Sequence, residues 1–203
     1  QLGSERGSVI NLFHGTKNKK ALEDIIQNGF SLKEWNTGVG GHGGAGKGIY
    51  FYKKEGNAMS WGWDVVKSKV DFKNSEWLDF TKSNSPSIYD YVKKARKETK
   101  IKNDDNLALT KYAQKQGYKG AINGAWELDD MYKEYVVFDP KDITIVEGRS
   151  YDTPEGSHFL KRINTFKPKS SSVILPGGYT SRTYDLISST PQNVWDAEQL
   201  KGF

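Results

Sequence analysis

Three separated stretches carry side chains whose types suit the breaking of a glycosidic bond: Phe13-His14-Gly15-Thr16, Gly46-Lys47-Gly48-Ile49-Tyr50-Phe51 and Glu134-Tyr135-Val136-Val137-Phe138-Asp139. A carboxylate fixed at the start of a strand, as Glu134 would be, can stabilise the positive charge that develops on a sugar as its base departs. Two flat aromatics, Tyr50 and Trp61, can grip a planar leaving group between their faces. Gly15 has no side chain to keep a bound amide from its backbone N–H and C=O. His14 can bond a sugar hydroxyl and orient it, and Thr16 can assist. Taken singly these residues have plainer readings: a structural histidine, two core aromatics, a solvated glutamate. Their order and surroundings change that reading.

The elements that must position them follow from periodicity. Residues 9–14 form a short apolar run that reads as a buried strand ending at His14-Gly15-Thr16. Thr16 can cap a helix over 17–28, where Ala21, Leu22, Ile25 and Ile26 lie at helical spacing and Gly29 is the stop. Residues 36–48 are a glycine-dominated loop, and 49–52 read as the next strand. Residues 55–67 carry Ala58, Trp61, Val65 and Val66 at a spacing that predicts a helix, continuous or broken at Gly62. Residues 77–80 predict a strand, Ser85-Pro86 opens a helix through Ala95, and 106–116 predict another. Strands are expected over 118–123, 135–138 and 143–147, with Asp139-Pro140 as a turn. From residue 150 onward Ser, Thr, Pro and Gly dominate with little periodicity. The expected organisation is a catalytic domain over 1–148 and an appendage over 149–203 that packs on it or contacts a target. The aromatics Tyr179, Tyr184, Trp195 and Phe203 favour packing over plain disorder.

Two nucleotide-binding patterns occur in the glycine loop and fail on context. Gly41-His42-Gly43-Gly44-Ala45-Gly46 matches G-x-G-x-x-G, which has physical content only between a strand and a helix whose N-terminus meets pyrophosphate. Here a strand follows. Gly41, Gly46 and Lys47 approach a P-loop, but Gly48 stands where a hydroxyl must hold magnesium.

Composition bounds the rest. The chain has 203 residues, 35% hydrophobic and 13% aromatic, enough for a sizeable core. With no cysteine and three scattered histidines, thiolate chemistry is excluded and a structural zinc site disfavoured; no metal ligand is expected. A formal net charge of +5 suits anionic ligands, nucleic acid or acidic partners. No apolar run approaches a membrane span. Residues 1–6 lack an apolar signal region and read like the edge of a longer chain.

The three stretches together resemble the catalytic domain of poly(ADP-ribose) polymerases and diphtheria-toxin-like ADP-ribosyltransferases, over roughly residues 9–147. That family is marked by His in a His-Gly pair, Tyr in a Gly-x-Tyr-Phe-type strand and Glu opening a strand, met here as His14, Tyr50 and Glu134. A second aromatic lies eleven residues past the signature tyrosine in the polymerase branch; the residue here is Trp61. A small hydroxyl residue commonly precedes it by three positions. Ala58 stands there instead, which leaves Ser60 or backbone to bond the nicotinamide amide.

The resemblance implies an α+β ADP-ribosyltransferase fold, two packed, mainly antiparallel sheets with flanking helices around an NAD cleft. It implies NAD as co-substrate, no metal, Glu134, His14 and Tyr50 as catalytic residues, and His14, Gly15, Thr16, Gly48, Tyr50, Ser60 and Trp61 as the NAD-binding set. The expected activity is a mono-ADP-ribosyltransferase acting on a protein or nucleic acid, RNA included. The chain then resembles a bacterial or phage effector or toxin domain, with an immunity or antitoxin protein as a partner. It would act in the cytoplasm of the producing or target cell, secretion as part of a larger chain being one route. An NAD glycohydrolase and an inactive ADP-ribose- or NAD-binding module are the alternatives. The loop over 126–133 should face the acceptor. Tyr132, two before Glu134, replaces the acid or amide of arginine-directed toxins and disfavours arginine. Lys93, Lys94, Arg96 and Lys97 form a basic helix face that suits nucleic acid or plain solvation.

Overall fold

The computed structural model describes residues 7–33, 44–124, 133–152, 161–174 and 180–188. Residues 126–132 of the expected acceptor-facing loop, residues 36–43 of the glycine loop, the N-terminal edge, and Tyr179, Trp195 and Phe203 lie outside these.

A mixed α+β fold is built on one nine-stranded sheet in the order β4-β5-β6-β2-β1-β3-β7-β8-β9. The strands are β1 (Ser8–Thr16), β2 (Ile49–Tyr52), β3 (Asp64–Phe72), β4 (Trp77–Asp79), β5 (Gly120–Asn123), β6 (Glu134–Val137), β7 (Thr144–Asp152), β8 (Lys161–Ile174) and β9 (Thr180–Ser188). The helices are α1 (Lys19–Asn28), α2 (Glu55–Ala58), α3 (Ile88–Thr99) and α4 (Asp105–Lys115). Only β4 and β5 are parallel; all other neighbours are antiparallel. The expected pair of packed sheets is thus one hydrogen-bonded sheet. Its weakest join is β1 to β2, paired at Phe13↔Tyr52, whereas β1 and β3 pair from Ser8↔Phe72 to Thr16↔Asp64.

Strand alternation divides the core. On one face α3 and α4 cover Leu78, Ala121, Val136 and Phe138 with Tyr91, Leu109 and Tyr112. The other face gathers Leu12, Phe51, Val70, Phe72, Trp77, Tyr135 and Val137, and α1 lays Leu22 and Ile26 on Val66, Ile145 and Phe166. Each fully buried Leu, Val or Phe contributes about 1.5–3 kcal/mol. From β4 through β6 the sheet is therefore packed on both faces, whereas β3 keeps an exposed row at Lys69 and Asp71.

Local chemistry sets the boundaries. The N-cap of α1 is Asn18, whose side chain accepts from the Ala21 amide at 2.9 Å, while Thr16, buried, donates to the carbonyls of Asp64 and Asn18. Ser87, not Ser85, caps α3 by accepting from the Asp90 amide. The expected helix over 55–67 stops at Ala58, passes through a 3₁₀ turn over Met59–Trp61 and turns at Gly62 into β3. In β3, Val66, Ser68, Val70 and Phe72 point inward while Lys67, Lys69 and Asp71 are less buried, the period of a half-buried strand. The expected boundary after residue 148 falls inside β7, and β8 and β9 prolong the same sheet. Among the described residues no helix is long and apolar enough to cross a membrane.

Candidate active site at the join of two strands

A continued β1–β2 ladder would place Gly15 opposite Tyr50, since Phe13 faces Tyr52. At that level a side chain takes over from backbone: His14 Nδ1 lies 2.8 Å from the Tyr50 carbonyl oxygen. A carbonyl only accepts, so Nδ1 carries the proton and Nε2 is left as an acceptor, suited to a hydroxyl. Burial pulls the His14 pKa below 6.5 and so favours the neutral ring, against the opposing effect of the carbonyl bond. The ring meets Phe30 and Phe51 edge-on at 5.3 and 5.8 Å. It sits on the α1 side of the sheet with Phe51.

Tyr50 and Tyr52, two apart on β2, leave on the opposite side from Phe51. Tyr50 packs against the cluster under α3 and α4, and its hydroxyl donates to the Gly46 carbonyl at 2.7 Å. Register then aligns a row across three strands, Asn123, Glu134 and Tyr52. The Tyr52 hydroxyl donates to Glu134 Oε1 at 2.9 Å and accepts from the Trp61 indole Nε1 at 2.7 Å. Asn123 Nδ2 lies 3.5 Å from Glu134 Oε2, the outer limit of such a bond. Burial first, and then the charge of Glu134, push both phenols' pKa values up, so each remains a neutral donor. A hydrogen bond to a charged group such as Glu134 is worth about 1.5–3 kcal/mol.

Glycines bring these pieces together. A Cβ on Gly15 would lie 1.9 Å from the Ala58 carbonyl oxygen, and one on Gly62 would lie 1.6 Å from that of Thr16. Gly15 was expected to open backbone to a ligand; the space its side chain would fill is taken by α2. Gly48 likewise lies against β6, where a Cβ would come 2.5 Å from the Val137 carbonyl. Gly46 has φ +109°, and its neighbour Lys47 is pinned to α4 because Thr110 both accepts from its amide and donates to its carbonyl. The last glycines of the loop are thus held in place, Gly46 against α4 and Gly48 against β6.

The four-residue α2 is too short to hold itself in place. Its Glu55 accepts from Arg149 Nη1 at 2.6 Å and from the Tyr151 hydroxyl at 2.8 Å, and Glu147 completes the shell of Arg149. Burial works against the guanidinium's charge, and the two carboxylates more than reverse it. This clasp ties α2, and the turn that carries Trp61, to β7.

The expected residues therefore fall into two groups flanking one join. His14 and Tyr50 are linked through backbone, and Glu134 and Trp61 are linked through Tyr52. The Thr16 backbone lies against Gly62, the residue after Trp61. Ser60 is exposed and its hydroxyl donates to the Asn57 carbonyl at 2.6 Å. Trp61 and Trp63 are 46% and 48% exposed, so two indole rings stand at the surface on either side of Gly62. Sequence reasoning missed Tyr52 and Asn123. The signal for Tyr52 was present: two residues past Tyr50 on a strand, it must share that residue's face. Asn123 needed the β5–β6 register, which sequence does not supply. Among the described residues, no group of three or more His, Asp or Glu side chains converges as metal ligands.

No protein-family model matches the chain. The uncharacterized protein MJ0359 of Methanocaldococcus jannaschii is 30% identical over 108 residues, covering 47% of this chain and 48% of that protein. The match thus spans about half of its relative. A solved anti-CRISPR protein is 13% identical with a TM-score of 0.38, over 70% of this chain and 98% of that one. At that score the likeness carries no argument.

Proposed function

We propose that this chain cleaves NAD at the nicotinamide–ribose bond and transfers the ADP-ribose to a macromolecular acceptor, protein or nucleic acid, as an effector or toxin domain. The observation that carries the reading is the hydrogen-bonded row Trp61–Tyr52–Glu134; His14 stands on the other face of the sheet, at the join of β1 and β2. The row combines a carboxylate with an exposed aromatic face, and His14 adds a neutral imidazole on the strand next to β2.

In the proposed reaction the bond from ribose C1′ to the nicotinamide nitrogen breaks, and its electron pair leaves with neutral nicotinamide. Glu134 stabilises the positive charge that spreads over C1′ and the ring oxygen. Trp61, with Tyr50 as the inner aromatic, holds the departing ring. His14 Nε2 accepts from a ribose hydroxyl. The acceptor's nucleophile then bonds C1′ and gives up its proton. In this reading the mixed α+β fold would bind NAD, as a substrate, near the join of β1 and β2, and the reaction calls for no metal.

Incubation of the chain with adenine-labelled NAD and a cell lysate tests it. Label on protein or RNA, with nicotinamide released in equal amount, is the expected result. Free ADP-ribose alone would turn the assignment to an NAD glycohydrolase. NAD that binds but stays intact would turn it to a binding module. Mass spectrometry of the labelled acceptor would identify its class.

A further inference from the structure

The chain Trp61–Tyr52–Glu134 has a fixed direction. An indole N–H can only donate and a carboxylate can only accept. The Tyr52 hydroxyl, with one proton, must therefore accept from Trp61 Nε1 at 2.7 Å and donate to Glu134 Oε1 at 2.9 Å. No other arrangement of the three satisfies both ends. Bonds in series polarise one another, so the first strengthens the second.

The two oxygens of Glu134 are held unequally. Oε1 has the phenol, while among the described residues Oε2 has Asn123 Nδ2 at 3.5 Å. The row across the strand ends fixes where these groups stand, since Asn123, Glu134 and Tyr52 are register partners. Trp61, 46% exposed, is the outer end of the chain, and Glu134 is the inner end.

We propose that Tyr52 is a positioning residue: it pins Glu134 by Oε1, reserves Oε2 for the substrate sugar, and couples the carboxylate to the aromatic wall formed by Trp61. This deepens the transferase reading and rests on it for its kinetic consequences; the hydrogen-bond coupling itself does not. Tyr52 acts through Glu134, so its loss falls on turnover more than on affinity. The bond from Trp61 is more exposed to water than the bond to Glu134, so its loss costs less.

The test has two arms, both preceded by a melting curve showing that the near-isosteric Y52F folds. In the first, NAD cleavage by Y52F is expected to show kcat lower by about 10- to 100-fold with KM within about threefold of wild type. W61F, which keeps a ring, should lose less in kcat, and the double variant should be no slower than Y52F alone. A Y52F kcat within about twofold of wild type, or losses that multiply in the double variant, would overturn the proposal. In the second arm the Trp61 indole N–H resonance, assigned by its disappearance in W61F, should move in both Y52F and E134Q. An indole resonance unmoved by either change would overturn the coupling even if the chain cleaves no NAD. Failure of wild-type cleavage with a moved resonance would sink the transferase reading and leave the coupling standing.

Discussion

The two edges of β1 are made differently. Toward β3 it pairs residue by residue from Ser8 to Thr16; toward β2 it pairs at Phe13↔Tyr52, and His14 reaches the Tyr50 carbonyl where a ladder would have continued. A full ladder satisfies backbone groups with each other and leaves nothing over for a ligand. An interrupted one lets a side chain, here that of His14, reach across between strands. One edge of the strand holds the fold, and the other borders the proposed site.

The largest expected effect separates the edges by activity. Glu134→Gln should lower NAD cleavage by about 10²–10³-fold in kcat while the melting temperature stays within a few degrees. Leu12→Ala, fully buried on β1, should do the reverse. It should cost about 2–5 kcal/mol of stability and leave turnover per folded molecule nearly intact, read by urea titration beside the activity assay. Equal losses of both properties in both variants would erase the distinction.

Next in size is a contrast between glycines. Gly15→Ala drives a methyl into the backbone carbonyl of Ala58, while Gly148→Ala meets only the side-chain ends of Leu22 and Ile26. The first should cost about 1–3 kcal/mol and displace Trp61, and the second less, because flexible side chains yield more easily than backbone. Thermal melts compare them, and an equal cost would mean that α2 gives way freely.

Native-state hydrogen exchange sharpens the comparison without mutation. Amides of β1 that face β3 are expected to be protected more strongly, by roughly tenfold or more, than those that face β2. Uniform protection along both edges would show that the join is as firm as the ladder.

The smallest effect is a pH dependence. His14 has a folded pKa below its ordinary 6.5, so between those two values the unfolded chain binds more protons and stability rises with pH. On acidification, stability should begin to fall near the ordinary value and go on falling toward the lower folded one. His14→Asn, which keeps a donor near the Nδ1 position, should flatten that slope in melts between about pH 7 and pH 5. An unchanged slope would assign the acid sensitivity to other groups.

The contrast also explains what could be read from the sequence. Elements with strong local signals were legible: β1 and β2 as short apolar runs, α1, α3 and α4 from helical spacing and their stops, β6 from Tyr135 through Phe138. The third strand was not, because Val65 and Val66 lie at helical spacing from Ala58 and Trp61, and Ser68 interrupts the inward row. β8 and β9 are rich in Lys, Ser and Thr, and pairing rather than patterning defines them. At the site, residue types singled out His14, Tyr50, Trp61 and Glu134, but the packing of Gly15 against α2 was not legible. Its small size serves a neighbouring carbonyl, a contact between segments that no local pattern encodes.

The clasp at Arg149 has a practical corollary. Glu55 and Arg149 stand 94 positions apart, yet the turn bearing Trp61 leans on their contact. A fragment trimmed after residue 148 would retain His14, Tyr50 and Glu134 but strand Glu55 without its guanidinium and its phenol. Anyone shortening this protein should keep Tyr151 inside the cut.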